Sequence, residues 1–175
     1  MKAVNAGSGQ RRFETIGDVE WVNVDIISRP PDQIADVHYD ISRPGWPFDN
    51  GSVDVVVLSQ VIEHFHLTEG DVVLTEAYRI LKPGGSLIAT FPNLKALAKA
   101  WIRGDITDYI FGVNVYGAWQ GQPGDDHHWH YSSLTLAAQL MGLSDWSKVR
   151  AFDWRAIPGM NLGNDWWVDS CEAIK

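Results

Sequence analysis

The sequence holds one cysteine, Cys171, in 175 residues, so no internal disulfide is possible and the fold must rest on a packed core. The alternating residues around Cys171 make it a buried structural thiol with no catalytic role. No apolar run reaches the length of a bilayer span, and the N-terminus enters strand-like sequence without the basic and apolar regions of a signal peptide. A cytoplasmic location is expected, with no membrane span. Basic residues are scarce: 14 Lys and Arg stand against 22 Asp and Glu, for a formal net charge of −8. That balance argues against a long phosphate-backbone partner, which needs clustered cations, so nucleic acid is not expected. The adjacent Arg11 and Arg12 read as a solvated helix start. Low-complexity stretches and repeats are also missing, which excludes solenoid and disordered classes.

What remains is a chain of one-domain length, taken as residues 1–175, with strands and helices in alternation. Ala3-Val4 and Trp21-Val22-Asn23-Val24 read as strands ending at the polar residues Asn5 and Asp25. Between them, Arg11 to Ile16 offers only a brief helix-compatible stretch before Gly17, so the first crossover is short. The second is equally thin. Pro30-Pro31 leaves about one helical turn around Asp32 to Ala35 before a strand at Val37-His38-Tyr39. Val53-Asp54-Val55-Val56-Val57-Leu58 is a β-branched run and predicts the central buried strand.

Thr68 and Asp71 resemble a capping pair for a helix that runs to Leu81 and stops at Pro83-Gly84-Gly85. A strand over Ser86 to Phe91 follows, then an amphipathic helix over Leu94 to Arg103 ended by Gly104. The Gly- and aromatic-rich segment 105–131 is too long for a plain connection and is the candidate substrate side, as a loop or small subdomain. Ser132 or Ser133 caps a helix over Leu134 to Met141 with Gly142 as its stop. Val149 to Trp154 and Trp166 to Ile174 then form an antiparallel hairpin at the sheet edge, across a connection from Ala156 to Asp165. The total is seven strands in an α/β chain.

Five segments in order carry a family resemblance. They are Val4-Asn5-Ala6-Gly7-Ser8-Gly9, Trp21-Val22-Asn23-Val24-Asp25, Trp46-Pro47-Phe48-Asp49-Asn50-Gly51-Ser52-Val53-Asp54, Ile62-Glu63-His64-Phe65 and Arg79-Ile80-Leu81-Lys82-Pro83-Gly84-Gly85. The chain resembles the class I SAM-dependent methyltransferases, in particular a compact bacterial and phage-type branch with Asn-x-Gly-x-Gly and Trp-x-Asn-x-Asp signatures. The resemblance implies a Rossmann-like fold, a mostly parallel seven-stranded sheet and S-adenosyl-L-methionine as cofactor, with S-adenosyl-L-homocysteine as product.

It further implies a cofactor site made of Asn5, Ala6, Gly7, Ser8, Gly9, Asp25, Ile26, Asp40, Ile41, Ser59, Gln60 and Val61. The amino-acid end of the cofactor falls to Gly7, Ser8 and Gly9, the ribose hydroxyls to Asp25, and the adenine to Asp40 and Ile41. His64 and His127 are the candidate catalytic residues. The local rivals are a loop hydrogen bond for Asn5, a turn cap at Ser42-Arg43-Pro44 for Asp40, and packing for His64. Asp125-Asp126-His127-His128-Trp129-His130 is crowded with ligand types, yet crowding is not ligand geometry, and no metal site is expected there.

The expected reaction is methyl transfer to an oxygen or nitrogen of a small-molecule or carbohydrate-like acceptor. Arg11 stands where the family's usual third glycine falls, and the chain begins directly at its first strand. Something else must then close the site: the segment 105–131 folding over it as a lid, or a homodimer that covers the thinly protected half of the sheet. The alternatives are a cofactor-binding scaffold that does not turn over and, more weakly, a nicotinamide-dependent oxidoreductase. Against the latter, Arg12 occupies the position of the last glycine of the dinucleotide pattern.

Overall fold

The computed structural model describes residues 1–27, 35–118, 124–156 and 166–175. Seven strands form one sheet: β1 (Lys2–Ala6), β2 (Glu20–Asp25), β3 (Val37–His38), β4 (Val53–Ser59), β5 (Leu81–Pro92), β6 (Lys148–Ala151) and β7 (Val168–Ile174). Their spatial order is β3-β2-β1-β4-β5-β7-β6. The first five in that order run parallel, while β7 pairs antiparallel with both β5 and β6. The strand order reverses between β1 and β4, which opens a crevice at the carboxyl ends of these strands.

Alternation along β4 divides the core. Val56 and Leu58 join one apolar cluster with Val73, Leu74, Ala77 and Ile80 of helix α1 (Leu67–Ile80) and with Leu136 and Leu140 of α4 (Ser133–Leu143). Val55 and Val57 face the other side, where Phe13, Ile88, Trp154 and Trp21 close over them. Phe13 and Trp154, from irregular segments, thus pack on the second face beside Trp21 of β2 and Ile88 of β5. Residues 7–19, between β1 and β2, contain no helix, as the short crossover required. The turn expected around Asp32 to Ala35 lies almost wholly outside the described residues.

Several sequence-based boundaries shift. The α1 cap is His66, whose amide donates to the Glu69 carboxylate at 3.0 Å, and not the pair Thr68 and Asp71. A carboxylate three residues beyond the cap captures the cap amide equally well two residues earlier. Pro83-Gly84-Gly85 ends no isolated helix tail but lies within β5, at a register shift between Val53 and Val55 of β4. A Cβ on Gly85 would stand 2.9 Å from the Asp54 carbonyl, so only glycine fits this close approach. Gly142 lies inside α4, which runs on to Leu143, and the penultimate strand ends at Ala151, leaving Trp154 in a 3-10 turn.

Helix α2 (Leu94–Arg103) matches its expected span, with Gly104 left-handed at φ 78°. The segment 105–131 contains an unexpected helix, α3 (Asp108–Tyr116), capped by Thr107 and packed on α2, with Phe111 stacked on Trp101. The C-terminal hairpin sits at the sheet edge as expected, and most of its connection lies outside the described residues.

Two motif segments hold the frame. Arg79 donates to the carbonyls of Trp46 and Phe48 and to the Glu76 carboxylate at 2.7 to 2.9 Å, while Glu76 also accepts the Trp46 amide at 2.7 Å. The Trp46-Pro47-Phe48 loop is thereby pinned to α1. Lys82 pairs with Asp54 at 2.8 Å, and the same carboxylate accepts the Lys2 amide at 2.7 Å, joining β1, β4 and β5 at their amino ends. The Lys82 and Asp54 charges thus do structural work at the edge of the sheet opposite the crevice.

Candidate functional site

Where β1 ends, the chain turns through Gly7 and Gly9, at φ 74° and 51°. These left-handed conformations suit glycine. Gly7 has a second requirement, because a Cβ there would lie 2.7 Å from Val61 Cγ1. The loop after β1 therefore rests directly on the segment after β4. Asp25, at the end of β2, fixes the same loop: Oδ2 accepts the Gly9 amide and Oδ1 the Ile27 amide, each at 2.7 Å. Each oxygen keeps a lone pair, and the carboxylate lines the crevice.

Gln60, after β4, is the one non-glycine described residue with positive φ, at 57°. Its amide is held by the carbonyl and hydroxyl of Thr90 at 3.0 and 3.2 Å. Backbone strain fixed in this way collects at ligand sites. Two cavities of about 510 and 570 Å³ adjoin here and share Gly7, Gly9, Gln60 and His64 as walls. Both lie in the size range of small-molecule sites.

The first cavity gathers Gly7, Gly9, Asp25, Ile26, Asp40, Ile41, Gln60 and Val61. Ser8 and Ser59 line the second, together with Glu63, His64 and His127. Asn5 and Ala6 line neither. The Asn5 amide donates to the Arg11 carbonyl at 2.7 Å and to Asn23 at 3.0 Å, so it fastens the loop from behind. Asp40 caps its turn as well, accepting the Ser42 hydroxyl at 2.6 Å and Arg43 at 2.9 Å. Burial raises its pKa, and these hydrogen bonds more than offset that, leaving it lowered and charged.

In the second cavity the two candidate histidines meet edge to face, with ring centroids 4.7 Å apart. The carbonyl of Asp126 lies 3.1 Å from His64 Nδ1, and that of Asn114 2.9 Å from His127 Nδ1. A carbonyl can only accept, so each Nδ1 carries the proton and each Nε2 a lone pair. Burial lowers both pKa values, that of His127 to about 4, where the facing His64 adds to the effect. Both rings are neutral near neutral pH.

Glu63 was legible only as part of a motif, with no role of its own. It is 1% exposed, and neither carboxylate oxygen has a hydrogen-bond partner among the described residues. Burial pushes its pKa up to about 8, against the opposing charge of Arg11. His66, Glu69 and His128, which line the first cavity, were also missed, with the His66 and His128 rings tilted against each other at 4.1 Å. Of the crowded run from Asp125 to His130, only His127 joins a group with possible ligand geometry, and its companions are Glu63 and His64.

Residues 18–89 match the family model described as a methyltransferase domain. The chain is similar to that family over this stretch. Its fold is that of the class I methyltransferases. A SAM-dependent methyltransferase from Archaeoglobus fulgidus superposes with a TM-score of 0.61 at 15% identity, covering 99% of this chain and 86% of that one. One from Methanosarcina mazei gives 0.58 at 16%, over 99% and 92%. The Burkholderia thailandensis 1,6-didemethyltoxoflavin-N1-methyltransferase, with its acceptor and S-adenosylhomocysteine bound, gives 0.57 at 12%, over 99% and 70%. No curated protein matches the sequence.

The residues present fit the cofactor that a methyltransferase domain implies. The first cavity combines a glycine turn, a buried carboxylate with two spare lone pairs and an apolar wall at Ile26, Ile41 and Val61. The buried hydroxyls of Ser8 and Ser59 have no partner among the described residues, which leaves two polar groups at the loop for a ligand to satisfy.

Proposed function

We propose that the chain is an S-adenosylmethionine-dependent methyltransferase acting on an oxygen or nitrogen of a small-molecule or carbohydrate-like acceptor. The observation that carries this reading is the pair of adjoining cavities with a common wall at Gly7, Gln60 and His64, at the crevice of a fold like that of the class I methyltransferases. One cavity suits the cofactor and the other an acceptor, so donor and nucleophile would meet at the shared wall.

Asp25 would accept the ribose hydroxyls, Gly7, Ser8 and Gly9 would hold the amino-acid end, and Asp40 with Ile41 would border the adenine. Gln60, Val61 and Ser59 would border the sulfur. When bound, the cofactor supplies a methyl group activated by its positive sulfur. The protein's task is then mainly alignment, which yields about 7–11 kcal/mol in well-oriented systems. The neutral imidazoles of His64 and His127 offer Nε2 to an acceptor O–H or N–H. They orient it, and His64 can take its proton as the nucleophile attacks. His127, with a pKa of about 4, is better suited to orienting than to holding a proton.

The size of the second cavity, about 570 Å³, favours a small acceptor, and the net charge of −8 disfavours nucleic acid. No helix among the described residues is long and apolar enough to cross a membrane. We place the protein in the cytoplasm as a single domain over residues 1–175, with the 105–131 segment on the acceptor side. Residues 7–19 lack a helix and Ile16 is half exposed there, so we assign a second copy of the chain as the cover of that part of the sheet.

Incubation with methyl-labelled S-adenosylmethionine and panels of sugars, phenols and amines tests the reading. Label should move to at least one acceptor, and His64→Ala should lose transfer while keeping cofactor affinity. Cofactor binding without transfer to any acceptor would favour a scaffold that does not turn over.

A further inference from the structure

Glu63, His64 and His127 come from two distant parts of the chain, the 3-10 turn after β4 and the strap after α3. One donor atom from each lies within 4.8 Å of the other two. Two features of this group are unusual together. Both Glu63 oxygens are buried and lack partners among the described residues, so a carboxyl group is held out of water with no hydrogen bond to satisfy it. Each imidazole has its Nδ1 committed to a main-chain carbonyl, Asp126 for His64 and Asn114 for His127. That arrangement fixes the tautomer with Nε2 available, which is how metal-ligating histidines are oriented.

We propose that Glu63, His64 and His127 bind a divalent first-row transition-metal ion in the second cavity, where His64 adjoins the first. Two imidazoles and one carboxylate form a donor set that suits zinc and its neighbours in the series over magnesium or calcium. Donors 4.8 Å apart must close somewhat to reach one ion, a movement open to side chains at a cavity wall. Three protein ligands leave at least one coordination position free. All three residues line the second cavity, so that position faces the proposed acceptor space. There the ion, occupying both Nε2 lone pairs, would take over from His64 the activation of the acceptor: it would hold an acceptor oxygen and favour its deprotonated form, as bound cations do. The ion's role rests on the proposed methyltransferase reading; its binding does not.

The test is calorimetric titration of chelator-treated protein with zinc chloride, beside a parallel titration with S-adenosylhomocysteine. One ion per chain should bind, at least tenfold more tightly than magnesium, and Glu63→Gln and His127→Ala should each weaken zinc binding at least tenfold while keeping the far-ultraviolet circular dichroism of the parent. Should the variants fail to fold, the parent protein loaded with cobalt(II) should show two exchangeable, strongly shifted imidazole N–H resonances in its proton spectrum. No saturable zinc binding, undiminished binding in both variants, or no shifted imidazole resonances would overturn the site. Homocysteine-analogue binding with no zinc binding overturns the metal site alone. Zinc binding without any affinity for S-adenosylhomocysteine supports the site and overturns its place in methyl transfer.

Discussion

The Gly9 amide donates to Oδ2 of Asp25 at 2.7 Å, which ties the turn after β1 to the end of β2. Asp25 therefore has two tasks, ordering the loop and presenting lone pairs to the crevice. Asp25→Ala should weaken binding of S-adenosylhomocysteine by about 1–3 kcal/mol, through loss of charge-assisted hydrogen bonds. The same change should lower the melting temperature, because the Gly9 and Ile27 amides lose their acceptor. Calorimetry on the folded variant decides it: unchanged affinity would remove Asp25 from the cofactor site.

Gly7 and Val61 are coupled by contact. Gly7→Ala places a methyl group 2.7 Å from Val61 Cγ1 at a backbone φ of 74°. It should cost about 1–3 kcal/mol of stability from overpacking and strain. Val61→Ala removes the clashing methyl groups, so the double variant should be more stable than the sum of the single changes by roughly 0.5 kcal/mol or more. Urea unfolding of the four proteins measures this coupling, and strict additivity would contradict the contact.

The Glu76–Arg79 pair gives a pH-dependent prediction. Burial, the largest single influence, would raise the Glu76 pKa, but the Arg79 hydrogen bond and charge together with the Trp46 and Gly45 amides outweigh it and leave the value below the ordinary one. A lowered folded-state pKa adds stability above the unfolded value of 4.5 and loses it as pH falls through the folded value. Arg79→Ala should destabilise the protein by about 2 kcal/mol at pH 7, since hydrogen bonds to charged groups are broken. The deficit should shrink below pH 4.5 without vanishing, because the Trp46 and Phe48 carbonyls also lose their donor. Thermal unfolding of both proteins across pH 3 to 7 checks it.

The frame was legible where local sequence and tertiary packing agree. The β-branched run at Val53 to Leu58 is the central strand, and Leu94 to Arg103 with Gly104 is a helix with its left-handed cap. Helix α3 was not legible, because Asp108 to Tyr116 is rich in aromatic and β-branched residues, contains Gly112 and buries no residue of its own. Its stability comes from packing on α2, which no local pattern encodes. Of the cofactor residues that the resemblance implies, all but Asn5 and Ala6 line the two cavities, while Asn5 fastens the loop from behind.

Glu63 was hidden for a different reason. Its neighbours along the chain do not distinguish a buried acid from a solvated one. What buries it is distant: the amides of His128 and Trp129 donate to its carbonyl at 2.9 and 3.2 Å, drawing the later strap across it. Only the folded chain shows that His127 arrives beside His64.

The central claim is that the crevice beside Gly7 and Asp25 holds S-adenosylmethionine. Calorimetric titration of the purified protein with S-adenosylmethionine, S-adenosylhomocysteine and NAD tests it most directly. The account predicts saturable binding of the first two at one per chain and no heat from NAD; binding of NAD alone, or of none of the three, would contradict it.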